Sequence, residues 1–197
     1  MPTIASFTES NGLRSPNYQF GGIVPDTYSA RIAPQLNGIG LLEAIPETAI
    51  LALEDAGDSD GDGISGRAHR VIDPVSGETR LGRFGYKAAT TSVKHQVAAA
   101  FNTDMGVMTA MLPTPDCGAN QTDCSTGPQL PEQQLADLVK YISLLGVRPQ
   151  RDYNNPQVLQ GKAVFSNIGC NGCHVESFQT SAYHPLAELR NQTIRPY

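Results

Sequence analysis

The sequence has no long apolar run, no excess of basic residues and few cysteines, and each of these absences excludes a class of protein. No stretch approaches the roughly 18 to 20 consecutive apolar residues that a membrane-spanning helix needs. The formal charge is −5, from 14 basic and 19 acidic residues, whereas nucleic-acid-binding domains present a basic surface. Four cysteines in 197 residues are too few for a disulfide-stabilised miniprotein. Each cysteine therefore needs its own explanation.

The sequence also lacks an internal repeat and any strand alternation long enough for a sheet core. Its 19 glycines and 14 prolines predict long loops, and residues 1–40 resemble loop with at most one strand or hairpin. Helical spacing of apolar residues, with proline or serine at the start and glycine at the end, predicts four helices. They are 46–55, 93–102, 131–145 and 158–167. We therefore predict a mainly α fold with long loops.

The strongest chemical signal is the run Cys170-Asn171-Gly172-Cys173-His174, which matches the attachment signature of c-type haem. Two thiols three residues apart can each form a thioether to the same porphyrin, and the adjacent imidazole is then the proximal ligand of the iron. A zinc site would need two more closely spaced ligands, and a thioredoxin-like pair would follow a strand. We therefore predict haem c bound through Cys170 and Cys173, with His174 on the iron.

The other two cysteines, Cys117 and Cys124, bracket the polar loop 118–123. Covalent haem attachment implies an oxidising compartment, in which two thiols at this spacing are expected to form a disulfide. In the chain-entropy model, closing so short a ring contributes about 2 to 3 kcal/mol. The first ten residues lack the features of a secretory signal, so we expect a leader to be missing from this sequence and the protein to be periplasmic or otherwise secreted.

A run of alternating aspartates resembles the first half of a calcium-binding loop. Its carboxylates are those of Asp58, Asp60 and Asp62. Position 12 of such a loop would be His69 rather than a bidentate glutamate, so further oxygen donors are needed, among them the carbonyl of Ile64. The competing interpretation is a solvated Asp/Gly turn without metal. We predict a calcium site with a structural role, because extracellular calcium is concentrated enough to fill weak sites.

The ligand on the other face of the iron is less well defined. His95, on the second predicted helix, and Met105, just after it, are the candidate distal ligands. Methionine ligation suits electron transfer, whereas an open position suits peroxide chemistry. For either residue the competing interpretation is an ordinary surface histidine or core methionine.

Several motifs occur in an order that resembles a known family. They lie at 41–46, 60–67, 82–87, 104–106, 161–163 and 170–174. Together they make the chain, from about residue 13 to its end, similar to the bacterial di-haem oxidoreductases, relatives of the di-haem cytochrome c peroxidases. The resemblance implies a periplasmic protein with two c-type haems in two mostly helical, cytochrome c-like domains.

Members of that family carry one Cys-x-x-Cys-His in each haem domain, and this chain has one in all. We therefore expect the middle of a longer protein. Residues 1–147 would be the remainder of the first domain with the Asp/Gly loop inserted, 148–156 a linker, and 157–197 the start of the second domain. The expected partners are an electron-donor protein or a second haem domain and a small oxidant such as peroxide, with no nucleic acid and no transmembrane segment.

Three functions are compatible with these features. The leading hypothesis is a haem-binding electron-transfer protein that is part of a di-haem, peroxidase-like oxidoreductase, the full-length protein being the enzyme and this chain alone being inactive. The alternatives are a mono-haem electron carrier without catalysis and a calcium-stabilised binding module in which the haem motif is incidental. The sequence assigns no catalytic residue.

Overall fold

A computed structural model describes residues 3–22, 24–28, 30–115 and 127–196. The chain divides into two compact units, Met1–Ala33 and Pro34–Tyr197. The first is a hairpin with a two-residue turn, whereas the second consists of helices and short strands joined by long connections.

The first unit is an antiparallel hairpin of β1 (Thr3–Ser10) and β2 (Leu13–Gln19). Its two-residue turn is Asn11-Gly12, with φ of 52° and 76°. Positive φ at both central residues is the backbone of a type I′ turn, for which Asn-Gly is the favoured pair. All eight residues of β1 are exposed, so neither face is a buried one.

The second unit begins with two short helices, and α3 to α5 are its longer ones. The helices are α1 (Ile39–Glu43), α2 (Glu47–Leu51), α3 (Val93–Met105), α4 (Glu132–Ser143) and α5 (Pro156–Asn167). The strands form two small antiparallel hairpins, β3 (Arg70–Ile72) with β4 (Thr79–Leu81) and β5 (Phe178–Gln179) with β6 (Thr193–Ile194). Two 3-10 turns, Cys170–Gly172 and Ala187–Leu189, complete the unit.

The prediction of a mainly α chain of cytochrome c-like domains is wrong for the described residues. Helical segments hold 29% and extended segments 16% of them, and the strands pair as small antiparallel sheets. The sequence analysis allowed a hairpin within residues 1–40, where β1 and β2 lie, but it did not locate the individual strands, for two physical reasons. Those of the second unit are only two or three residues long, too short to alternate visibly. The first hairpin has no buried face, so apolar alternation is not required of it.

The core of the second unit lies where α1, α3 and α4 meet. Its buried residues are Ile39, Phe84, Val93, Val97, Leu135 and Ile142. The apolar stripe of α4 supplies the last two, and Leu135 has no exposed surface. Helix α1 approaches closely because Gly40 lacks a side chain: a Cβ there would lie 2.2 Å from the carbonyl oxygen of Ser143.

Helix α3 starts and stops at residues suited to those positions. Ser92 Oγ accepts a hydrogen bond from His95 N at 3.0 Å, and Glu43 Oε1 accepts one from Val93 N at 2.7 Å. These bonds satisfy two of the amides that a helix start leaves without partners. The helix ends at Gly106, whose φ of 67° fits the left-handed C-terminal position.

Candidate functional site

The haem signature forms a single tight turn directly after α5. Gly169, with φ of 87°, ends the helix. A 3-10 turn follows, in which Cys173 N and His174 N both donate to the carbonyl of Cys170, at 3.2 and 3.0 Å. The two thiols and the imidazole, at positions 170, 173 and 174, are therefore carried by one tight turn.

The side chains of this turn are accessible. Neither Cys170, which is half-buried, nor Cys173, which is exposed, is in a disulfide. The ring of His174, an exposed residue, packs edge to face against Phe165 of α5, with centroids 5.6 Å apart. Phe165 thus links the imidazole to the helix that precedes it.

Helix α5 leaves its apolar side chains uncovered. None of its twelve residues is buried; Leu159 is 53% and Val164 47% exposed, and Ile168, just after it, is 71% exposed. Isolated exposed apolar residues are ordinary, but a helix with no buried residue gains little stability from packing. A large apolar group attached at Cys170 and Cys173 would find uncovered apolar surface beside it, so the residues present fit a covalently bound haem on this side.

A cavity of about 240 Å³ lies along α5 on the side of Phe165. Its lining includes Gly161, Lys162, Phe165, Glu176 and Arg195. Lys162 Nζ donates to Glu176 Oε1. This hydrogen bond, with the charge of Lys162, lowers the pKa of Glu176. The cavity thus has an apolar wall on the helix and a charged rim.

The aspartate run forms a closed loop. Its base is an antiparallel bridge in which Asp55 N donates to Gly66 O at 2.9 Å. Within it each carboxylate accepts a backbone amide: Asp58 Oδ1 from Gly63, Asp60 Oδ1 from Asp62, and Asp62 Oδ1 from Ile64, at 3.1, 3.1 and 2.7 Å.

These bonds turn the three carboxylates toward one another. One oxygen from each of Asp58, Asp60 and Asp62 can be chosen so that all lie within 4.8 Å of one another. Hard divalent cations are bound by such oxygen sets. The residues present therefore fit a cation, although exposed acidic groups also occur without one.

The two candidate distal ligands occupy different environments. Met105 is the last residue of α3 and is 65% exposed. A methionine three residues later, Met108, is by contrast fully buried. His95 is buried, and its Nδ1 accepts a hydrogen bond from Thr91 N at 3.2 Å. Burial lowers the pKa of His95, with the charge of Asp73 acting in the opposite direction.

The family model described as "Di-haem oxidoreductase, putative peroxidase" matches residues 26–197. The chain belongs to the di-haem oxidoreductase family. Neither a curated protein nor a solved structure matches it significantly. The resemblance found in the sequence motifs is confirmed, and haem is the cofactor that membership of this family implies.

Sequence reasoning did not find a polar cluster in this di-haem oxidoreductase chain, which lies at the start of α3 and joins Thr91 to Asp73. Thr91 Oγ1 donates to Asp73 Oδ2 at 2.8 Å, and Asp73 Oδ1 also accepts from Val75 N and Ser76 N. The bonds from Ser76 N and Thr91 are the largest causes that lower the pKa of Asp73 to about 2. Asp73 is 18 residues from Thr91 in sequence, so no local pattern indicates the pairing.

Three basic residues of the second unit, Arg67, Arg83 and Lys94, bind other parts of the fold. Arg83 donates to the carbonyls of Leu42 and Ile45, at 2.7 and 2.8 Å. Arg67 donates to Ala56 O at 2.9 Å, and Lys94 pairs with Glu132 across α3 and α4. These contacts hold the fold together.

Two further predictions concern a disulfide and a transmembrane segment. Cys117 and Cys124 lie outside the described residues, so their disulfide stays a prediction. Among the described residues, no helix combines the length and apolar character that crossing a bilayer demands.

Proposed function

We propose that this chain is the part of a di-haem oxidoreductase that binds one c-type haem and passes electrons through it. The observation that carries the proposal is the turn itself: two thiols outside any disulfide and an imidazole, on one helical turn, beside a helix with uncovered apolar side chains. Family membership supplies independent support.

In this proposal Cys170 and Cys173 hold the haem by thioether bonds and His174 is the proximal ligand. The bound haem supplies a one-electron redox centre whose potential depends on its axial ligands and on its burial. The chain's own residues fix the position of that centre: Phe165 sets the plane of the imidazole by its edge-to-face contact, and α5 offers apolar surface that excludes water from one edge.

For a distal ligand, the geometry favours Met105 over His95. Nδ1 of His95 accepts the backbone amide of Thr91, so in the neutral imidazole the proton resides on Nε2. A protonated ring nitrogen has no free lone pair for a metal. Met105 presents an exposed thioether at the end of α3. If Met105 ligates an iron, Met105→Ala should lower its reduction potential, because methionine ligation raises it.

We also propose that Asp58, Asp60 and Asp62, with the carbonyl of Ile64, bind calcium in a structural role. Convergence of the three carboxylates supports this. Calcium should raise the thermal midpoint of the chain at millimolar concentration, the range of weak extracellular sites. Asp60→Asn should remove that response, whereas Asp26→Asn, in the other unit, should retain it. An equal response in both variants, or none in the parent chain, would contradict the site.

The finer features of the proposal concern the whole protein. The linker at 148–156 rests on the Arg-, Asp-, Asn- and Pro-rich composition of that segment, and the periplasmic location rests on covalent haem attachment and on the family resemblance. The electron-donor protein and the peroxide-like oxidant rest on the resemblance. They are consistent with a family described as oxidoreductase and peroxidase. The full-length protein would be the enzyme, and this chain would provide one of its haem centres.

Expression of this chain with the cytochrome c maturation machinery tests the proposal directly. The pyridine haemochrome spectrum should show one covalently bound haem per chain. The matched control is the Cys170→Ala, Cys173→Ala double variant, which should carry none. A folded parent chain without covalent haem would reject the proposal.

The single haem motif also favours a second candidate, a mono-haem electron carrier without catalysis. The two functions differ in a measurable way. A carrier reacts with a reductant but does not oxidise a reduced donor when peroxide is added. Stopped-flow spectroscopy of the haem-loaded chain and of the full-length protein separates them.

A further inference from the structure

The aspartate loop and the haem-attachment turn meet at one contact. Gly172 lies between the two cysteines, and a Cβ built on it would be 2.7 Å from Cδ1 of Ile64. Carbon atoms in favourable contact are about 3.5 to 4.0 Å apart. Ile64, which is 36% exposed, therefore occupies the space that a side chain at position 172 would need. Glycine at position 172 lets the turn pack on Cδ1 without displacing this side chain.

Ile64 is held in place by its own loop. Its amide donates to Asp62 Oδ1 at 2.7 Å, and the loop is closed two residues later by the bridge between Asp55 and Gly66. At that closure a Cβ on Gly66 would lie 2.7 Å from the carbonyl oxygen of Leu53. The backbone on either side of Ile64 is thus fixed by short contacts, and its side chain reaches the turn from a fixed point.

The turn is exposed and lies between two contacts. It follows a helix with no buried residue, and Cys173 and His174 are exposed. Its hydrogen bonds include that from Gly172 N to Gly169 O at 3.1 Å. Phe165 packs against the ring of His174, and Ile64 adds a contact to Gly172 from a distant segment, which matters because reactive groups need support from neighbouring packed residues.

We propose that Ile64 is a positioning residue for the haem-attachment turn. Its side chain packs on the bare backbone of Gly172 and holds the thiols of Cys170 and Cys173 and the imidazole of His174 in one arrangement. This inference rests on the proposed haem function. It concerns the side chain of Ile64, whereas the proposed calcium site uses the carbonyl oxygen, which every substitution at this position retains.

The test compares Ile64→Ala with Ile64→Val and with Ile72→Ala. Ile72, on β3, is 62% exposed and serves as the matched control. Covalent haem per chain is measured by pyridine haemochrome, and the reduction potential and absorption spectrum of the loaded fraction are recorded. For Ile64→Ala we expect roughly a twofold or larger fall in haem loading and an altered potential, because the turn loses its outside support. Ile64→Val, which lacks only Cδ1, should lower the loading less than Ile64→Ala does, and Ile72→Ala should match the parent.

A second pair of variants tests the contact itself. Gly172→Ala places a methyl group against Cδ1 of Ile64 and should reduce loading. The double variant Gly172→Ala, Ile64→Ala removes the clash and should load better than Gly172→Ala alone. Recovery of this kind reports a direct steric contact, which a general loss of stability would not produce.

The outcomes separate the inference from the function on which it rests. A parent chain without covalent haem rejects both. A loaded parent chain in which Ile64→Ala matches Ile72→Ala in loading, potential and spectrum rejects the positioning role alone. Circular dichroism melts of each variant without haem show whether folding is retained. If Ile64→Ala does not fold, Ile64→Val, which removes only the contacting Cδ1 atom, replaces it, and loading, potential and spectrum equal to those of Ile72→Ala then reject the inference.

Discussion

Helices α4 and α5 have the same length of twelve residues but opposite surroundings. Helix α4 buries Leu135, Ile142 and Ser143, whereas α5 buries nothing. Burying a leucine side chain contributes about 1.5 to 3 kcal/mol, so α4 is stabilised by the chain itself. Helix α5 leads instead into the turn with two thiols and an imidazole. The difference separates the part of the unit that makes the fold from the part that, in the proposed function, carries a bound group.

The largest effect that tests this comparison is loss of haem without loss of fold. The double variant Cys170→Ala, Cys173→Ala should abolish covalent haem completely. The haem-free chain should keep its free energy of unfolding within about 0.5 kcal/mol, as surface substitutions usually do, since Cys173 is exposed and Cys170 half-buried. Haemochrome spectra and urea denaturation measure the two quantities. A large destabilisation of the haem-free chain would mean that the turn belongs to the core.

Leucine-to-alanine substitutions on the two helices should differ strongly. Leu135→Ala, at a fully buried position on α4, should cost about 2 to 5 kcal/mol, the range for buried leucines. Leu159→Ala, on α5 and 53% exposed, should cost less than about 0.5 kcal/mol in the haem-free chain. Urea denaturation measures both values. In the haem-loaded chain, the Leu159 substitution should become more costly if haem covers it, and equal costs with and without haem would argue against such cover.

The Asp73 cluster should make the stability of the unit depend on acid pH. Hydrogen bonds lower the folded-state pKa of Asp73 from 3.8 to about 2. The carboxylate therefore stabilises the fold above pH 3.8, and this stabilisation is lost as the pH falls toward 2. Each pKa unit corresponds to about 1.4 kcal/mol, so the loss is on the order of 2 kcal/mol. The free energy of unfolding, taken from denaturation curves between pH 5 and about 2, should depend less on pH in Asp73→Asn than in the parent chain. An equal pH dependence in both proteins would exclude this carboxylate as its cause.

His95 should make the stability of the fold depend on pH in a different range. Burial lowers its pKa below 6.5, so the neutral imidazole stabilises the fold above pH 6.5, and this contribution is lost as the pH falls through the lowered folded-state pKa. Nuclear magnetic resonance titration of its ring protons measures the shift directly. A pKa at or above 6.5 would contradict the conclusion that burial outweighs the charge of Asp73 at this histidine.

The smallest effect is expected at the rim of the cavity beside α5. The pair of Lys162 and Glu176 is exposed, with side chains 60% and 55% accessible. Exposed ion pairs contribute little to stability because water and salt screen the charges. Lys162→Met should therefore change stability very little, and the pKa of Glu176 should rise toward its ordinary value because the hydrogen bond is lost. Titration monitored by nuclear magnetic resonance follows the carboxylate, and a clear loss of stability in urea denaturation would show that the pair supports α5.

The sequence predicted the longer helices because their signals are local. Ser92, Pro131 and the stripe from Leu135 to Ile142 place α3 and α4 within a few residues of their observed bounds. The first hairpin had a local signal too, the Asn11-Gly12 pair, but without a buried face there was no apolar alternation to confirm it.

What sequence reasoning could not supply are contacts between distant segments. Thr91 reaches Asp73, Glu43 caps α3 across fifty residues, and Ile64 meets Gly172. The chemical groups of the candidate site are adjacent in sequence and could be recognised. Their support comes from elsewhere in the chain and depends on the tertiary fold.

The segment from Gly82 to Gly85 has the appearance of a functional signature, but its contacts are architectural. A Cβ on Gly82 would lie 1.8 Å from the carbonyl oxygen of Ala88. Arg83 donates hydrogen bonds to two backbone carbonyls, and Phe84 lies in the core. Such a motif identifies relatives through backbone geometry and carries no information about substrate. Comparative searches for the chemistry of these proteins are therefore better directed at the surroundings of the Cys-x-x-Cys-His turn than at this segment.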